Sequence, residues 1–210
     1  MAEPLLPLFP LSLVLLPSTH LPLHIFEDRY KEMIGLVIAE HGEFGVVLAK
    51  EEGIVNIGCT ATVENIIQRY PDGRLDLVAI GRRRFVIRSI DDEKDYLRAS
   101  VDYFNDEDAD AAPAQLRHEA IAGYEKLRAI SSQPVIAEPR LDDPQLSFQL
   151  GQFIDDFDHR QALLAMRSET ERLQFLVRAL PEHISRRELT TLAKRVAPRN
   201  GHAKTYKEKA

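Results

Sequence analysis

Tryptophan is absent and cysteine occurs once, at Cys59. A single thiol excludes an intrachain disulfide framework and a cysteine-rich zinc site, and it fits a reducing cytosol. No apolar stretch approaches the roughly 20 residues a membrane-spanning helix needs. The apolar start also lacks the basic residues of a secretion signal: the first Lys or Arg is Arg29, and prolines at 7, 10 and 17 interrupt the run. The chain is therefore expected in the cytoplasm. The ten glycines are scattered, with no Gly-x-x-x-x-Gly-Lys-Ser/Thr and no Gly-x-Gly-x-x-Gly to cradle a phosphate. No Gly-x-Ser-x-Gly elbow is present, and no spacing links a serine to a histidine. Neither a catalytic set nor a cofactor is expected.

What is present describes an ordinary globular chain: 210 residues, 44% hydrophobic and 29% charged. That length allows one large domain or two small ones. The net charge of −6 disfavours a nucleic-acid partner, whose binding rests on Lys and Arg neutralising phosphates. The charge is uneven. Asn105 to Asp110 is an acidic run, and six Lys or Arg against one acid follow from Lys194.

The proline-punctuated start, Leu5 to Leu23, is too apolar for a surface loop and too broken for a helix. It reads as extended chain. Glu27 to Glu40 then reads as a helix with Tyr30, Met33, Ile34, Val37 and Ile38 on one face, closed by Gly42 in the left-handed position. Strands are expected at Phe44–Ala49, Ile57–Tyr70, Leu75–Ile80, Phe85–Ile90 and Tyr96–Tyr103, with a Pro71-Asp72-Gly73 turn in the hairpin.

After Tyr103 the pattern becomes helical. The stripes predict helices from Pro113 to about Ile130 and over Leu146 to Phe157, then a short one capped by Asp158. A fourth opens on the capping box Ser168-Glu169-Thr170-Glu171 and stops at Pro181, and a last one spans Glu182 to Val196, stopped by Pro198. The expected division is a β-rich part over 1–105, an acidic linker at 106–112, a helical part over 113–197 and a basic, flexible tail over 198–210. The fold class is α+β, a compact β-barrel or sandwich followed by helices.

His20 and His24 flank an extended Leu-Pro-Leu and do not share a helical face, so no metal site is read there. Asp155, Asp156, Asp158 and His159 fit a helix cap. Cys59 reads as an inert buried thiol. Arg82, Arg83, Arg84 and Arg88 form the best basic patch, but strand alternation splits them between two faces.

Three segments carry a family resemblance: Leu5 to Tyr30; Phe44-Gly45-Val46-Val47-Leu48 with Gly58-Cys59-Thr60-Ala61; and Pro71-Asp72-Gly73-Arg74 followed by Gly81 and Arg84-Phe85. With Arg160 to Leu164 and Glu171-Arg172-Leu173, they resemble the N-terminal domain of the Lon protease family over roughly residues 5 to 180. The resemblance implies a PUA-like pseudo-barrel with one inserted helix, followed by a helical bundle. A complete Lon protease continues with ATPase and Ser-Lys peptidase modules, and neither is found before Ala210.

The implied role is non-catalytic recognition of unfolded or apolar polypeptide segments, as an adaptor or holdase beside a protease or chaperone. No membrane partner is implied, and a homo-oligomer stays open. Phe9, Leu11, Leu13, Leu15, His24 and Tyr30 are the candidate peptide contacts. The alternative is an RNA-binding module using Arg82, Arg83, Arg84 and Arg88.

Overall fold

The proline-punctuated start folds as a strand. The structure, a computed structural model, describes residues 4–107, 111–131 and 137–196. The expected stop at Pro198, the basic tail and part of the acidic linker lie outside the described residues. Strand β1 (Leu6–Leu11) pairs parallel with β3 (Phe44–Lys50) and makes a two-residue antiparallel contact with β6 (Arg98–Phe104). Pro10 lies beyond the last β6 pair, so only one side of it is laddered and its missing N–H is tolerated.

Strand β4 (Gly53–Arg69) and strand β5 (Leu75–Asp91) are each 17 residues long. Two strands, Leu75–Ile80 and Phe85–Ile90, were expected where β5 runs unbroken through Gly81. Gly81 admits a close approach: a Cβ there would stand 2.2 Å from the Leu16 carbonyl oxygen. Backbone bonds from Ser18 to Gly81 and from Gly81 to Thr19 pin the preceding loop to β5 at that point.

The sheet order is β2-β5-β4-β3-β1-β6, and a β5–β6 pairing closes five of the strands into a barrel. The first half of β5 leaves the barrel to form a ribbon between β2 (His20–Ile25) and the second half of β4. Helix α1 (Asp28–Ala39) buries Tyr30, Met33, Ile34 and Val37 against the barrel core. Cys59 lies in that core, where burial pushes its thiol up to about 12, so it is inert.

The helical part comprises α2 (Ala114–Ile130), α3 (Leu146–Gly151), α4 (Phe157–Ala165) and α5 (Glu169–Val196). The observed α+β class is the one expected, with four local corrections. Helix α3 stops at Gly151; Phe153 and Ile154 leave the helix yet stay buried, so their apolar spacing was mistaken for helical continuation. The cap of α4 is Asp156, which accepts the His159 amide, rather than Asp158. Pro181 lies inside α5. The helix continues past it because Arg187 anchors the second half to Asp155 at 2.7 Å and to the Phe153 carbonyl at 3.1 Å. The left-handed residue after α1 is His41 (φ 50), with Gly42 one place later. The capping box does form at Ser168, whose hydroxyl accepts the Glu171 amide at 3.1 Å.

The two parts meet at a buried charge cluster. Asp106 accepts both terminal nitrogens of Arg172, at 2.7 and 2.6 Å, and Arg84 from β5 at 2.6 Å. Arg172 is fully buried and also binds Ser147 and Glu169. Both arginines donate to the Met166 carbonyl. Burial pushes the Asp106 carboxyl up, but the Arg172 hydrogen bonds and the charges of Arg172 and Arg84 more than reverse it and hold it below the usual range. Burial raises Glu169 further than Ser147 and Arg172 lower it.

Removing one partner from such a cluster leaves buried charge uncompensated. Asp106→Asn is expected to cost about 3–5 kcal/mol in urea unfolding. The depressed Asp106 carboxyl contributes stability that is present above its unfolded pKa and is lost as pH falls through its lowered folded pKa. That loss begins near pH ~4. The acid limb of the stability curve should therefore be shallower in the variant.

Candidate functional site

Leu36 stands off the apolar stripe of α1 and is 41% exposed. It marks the helix turn around which the site is built. The turn ends in a Schellman motif: the Gly42 amide bonds the Val37 carbonyl at 2.9 Å and the His41 amide bonds Ile38 at 3.4 Å. A non-glycine residue in the left-handed region carries a cost, and His41 carries it here, exposed at the surface.

Three adjoining hollows surround this turn. One, of about 400 Å³, separates Val37, Ile38 and His41 from Thr62–Ile66 of β4. The second, of about 520 Å³, is bounded by Leu36, Glu43, Pro4–Pro7 and Tyr103. The two share Val37, His41 and Gly42. The third, of about 570 Å³, shares Pro4, Arg83 and Tyr103 with the second and extends along Ser100–Asp102. Together they make a trough that wraps the C-terminal end of α1.

Its three cations, Arg83, Lys94 and Arg98, are paired. Arg83 donates to Glu43 at 3.1–3.2 Å and stacks 3.8 Å above the Tyr103 ring. Lys94 binds Glu32 at 3.1 Å, and its pKa is raised by hydrogen bonds to Tyr96 and Glu32. Arg98 binds Asp91, whose hydrogen bond raises the guanidinium further. Apolar surface is supplied by Leu36 and by Tyr103, which is 45% exposed. Such a lining matches a ligand that carries apolar groups and little net charge.

The expected contact residues lie elsewhere. Phe9, Leu15 and Tyr30 are core: the Phe9 ring packs 4.2 Å from Tyr30, and burial raises the Tyr30 phenol. Leu11 and Leu13 are half-buried against that same core. His24 is exposed on β2, bound to Asp76 at 2.5 Å and stacked on Phe26. None of the six lines the trough; the same segment contributes Pro4 to Pro7 instead. Of the arginines, Arg82 is exposed and Arg83 enters the trough. Arg84 is buried on Asp106, and Arg88 is bound to Asp102. The alternation expected of a strand does separate Arg83 from Arg84. His20 pairs with Glu64 at 3.0 Å. Among the described residues, no three His, Cys, Asp or Glu cluster as metal ligands would.

The sequence signals for the missed residues were weak. Leu36 was detectable as the leucine off the helical stripe, and His41-Gly42 as a helix end. Thr62–Ile66 and Tyr103 read only as strand.

A sequence model of the ATP-dependent protease La (LON) substrate-binding domain matches residues 5–182. The chain belongs to this family. The fold is that of a Lon N-terminal domain protein from Xanthomonas campestris, at a TM-score of 0.68 and 24% identity over 83% of this chain and 97% of the other. It is also that of the N-terminal domain of the Mycobacterium avium complex Lon protease, at 0.62 and 18% over 86% of this chain and 100% of the other. At those identities the likeness concerns the fold. In this Lon-family domain the helical part matched by the solved structures follows the barrel, and the trough lies on the barrel part.

His41→Gly relieves the left-handed backbone at the trough. It is expected to raise stability by about 1 kcal/mol, read as a higher urea midpoint at unchanged slope.

Proposed function

We propose that this chain is a non-catalytic module that binds exposed apolar segments of unfolded polypeptides through the trough around α1, as an adaptor or holdase. The observation that carries this reading is the lining itself: exposed Leu36 and Tyr103 beside cations that already have carboxylate partners. Apolar surface of this kind at a concave site supports a polypeptide partner. Membership of the substrate-binding family supports the same class of partner. No helix among the described residues is long and apolar enough to cross a membrane. The buried Cys59 thiol suits work in the reducing cytoplasm, next to a protease or chaperone.

RNA binding draws less support. Of the four arginines, Arg83, Arg84 and Arg88 already have carboxylate partners, which leaves little positive field for phosphates.

Fluorescence anisotropy with fluorescein-labelled casein, a polypeptide without a stable fold, tests the reading. Saturable binding that survives high salt is expected. Leu36→Ser together with Tyr103→Ser should weaken it about tenfold or more, equivalent to about 1.4 kcal/mol, with an unchanged thermal midpoint. No saturable binding overturns the proposal. Binding abolished by salt and recovered with RNA favours the alternative.

A further inference from the structure

Strand β4 outruns its neighbour. On one side it is laddered to β5 as far as Arg69↔Leu75. On the other side the β3 ladder ends at Phe44↔Ala61, because the chain before Phe44 turns away through Gly42 and His41 into α1. From Thr62 onward that lane holds no strand. Among the described residues no backbone hydrogen bond beyond the β4–β5 ladder reaches Thr62–Ile66. The backbone N–H and C=O groups facing the lane are therefore open to a partner.

The lane is also a cavity. The hollow of about 400 Å³ lies there, with Val37 and Ile38 of α1 on one wall and Thr62–Ile66 on the other. A strand needs about 4.8 Å of lateral spacing, and the irregularity between Val63 and Asn65 limits its pairing to short lengths on either side. Val63 and Ile66 are partly buried and apolar, so they offer contact to alternate side chains of an added strand. Glu64, the one charged residue of this wall, is held by His20 at 3.0 Å.

We infer that an extended polypeptide segment binds this domain by adding as a strand to the open edge of β4 at Thr62–Ile66, beneath the last turn of α1. The inference rests on the polypeptide-binding reading above and gives that reading a mode. The ligand class is an extended backbone with alternating apolar side chains, held mainly by main-chain hydrogen bonds. RNA offers no matching row of donors and acceptors.

The other edge of the ribbon makes the contrast. Strand β2 also has a single neighbour, but Pro22 stands in its middle and removes a donor. No proline occurs between Gly53 and Arg69. Register shifts at Val63/Asn65 and Ile66/Gln68 break the β4 edge into short lengths. They admit a short segment and oppose stacking of whole sheets.

Two measurements on the full chain test this, with fluorescein-labelled casein as the probe. Gly42→Trp places an indole at the rim of the lane. A Cβ at Gly42 meets nothing closer than the Val37 carbonyl, at 4.0 Å, so the backbone there accepts a side chain. Casein affinity is expected to fall about tenfold or more with an unchanged thermal midpoint. By NMR hydrogen exchange, saturating casein should slow alternate amides within Thr62–Ile66 by about tenfold or more in the unmutated chain. That arm decides the matter even if the variant fails to fold. Saturable binding with no new protection at Thr62–Ile66 overturns strand addition and leaves polypeptide binding standing. Protection that grows with protein concentration in the absence of casein overturns it in favour of a second copy. No casein binding overturns both readings.

Discussion

The rest of the structure depends on one partly buried carboxylate. Asp106 lies two residues beyond the end of β6 and faces two buried guanidiniums, Arg84 from the barrel and Arg172 from α5. Each arginine alone would be prohibitively expensive to bury. With Asp106 between them, and with Glu169, Ser147 and the Met166 carbonyl meeting the remaining donors, the charges are satisfied and the helical part has one position on the barrel. Apolar packing alone would specify that position less sharply, since hydrophobic contact is not directional. Phe148 reinforces the cluster: both guanidiniums lie over its ring, and its side chain joins the barrel core.

Helix α1 packs on the barrel core and leaves part of its surface to solvent. The helix buries four residues and turns Leu36 outward. Its Schellman end forces the chain into β3 at Phe44, well short of where β4 ends. The trough and the open lane are two consequences of that single turn. The strained backbone at His41 is therefore located where the candidate surface is made, a common place for such strain.

Much of this was legible in the chain. The Tyr30–Val37 stripe fixed α1 and its buried face. Pro71-Asp72-Gly73 marked the hairpin, where Gly73 does take a positive φ of 85°. Ser168 marked the start of α5. Legibility failed where a tertiary partner overrode a local signal. Pro181 should break a helix, yet Arg187 bonds hold the second half in line. Asp106 lies in an acidic run that reads as linker, and only distant Arg84 and Arg172 give it a structural role. Which leucines of the opening segment touch core and which a ligand was not legible, because hydrophobicity reports a need for burial without naming the place.

By itself the sequence determined the α+β class, a β-rich part with one inserted helix before the helical part, and the absence of phosphate-cradling and nucleophile motifs. These follow from period, turn chemistry and residue inventory, all of which are local. The tertiary structure alone decided which apolar residues stay exposed, which arginines are neutralised and where a strand lacks its neighbour. Those properties belong to residues far apart in the chain, such as Arg172 with Asp106 or Ala61 with Phe44, and no local pattern encodes them.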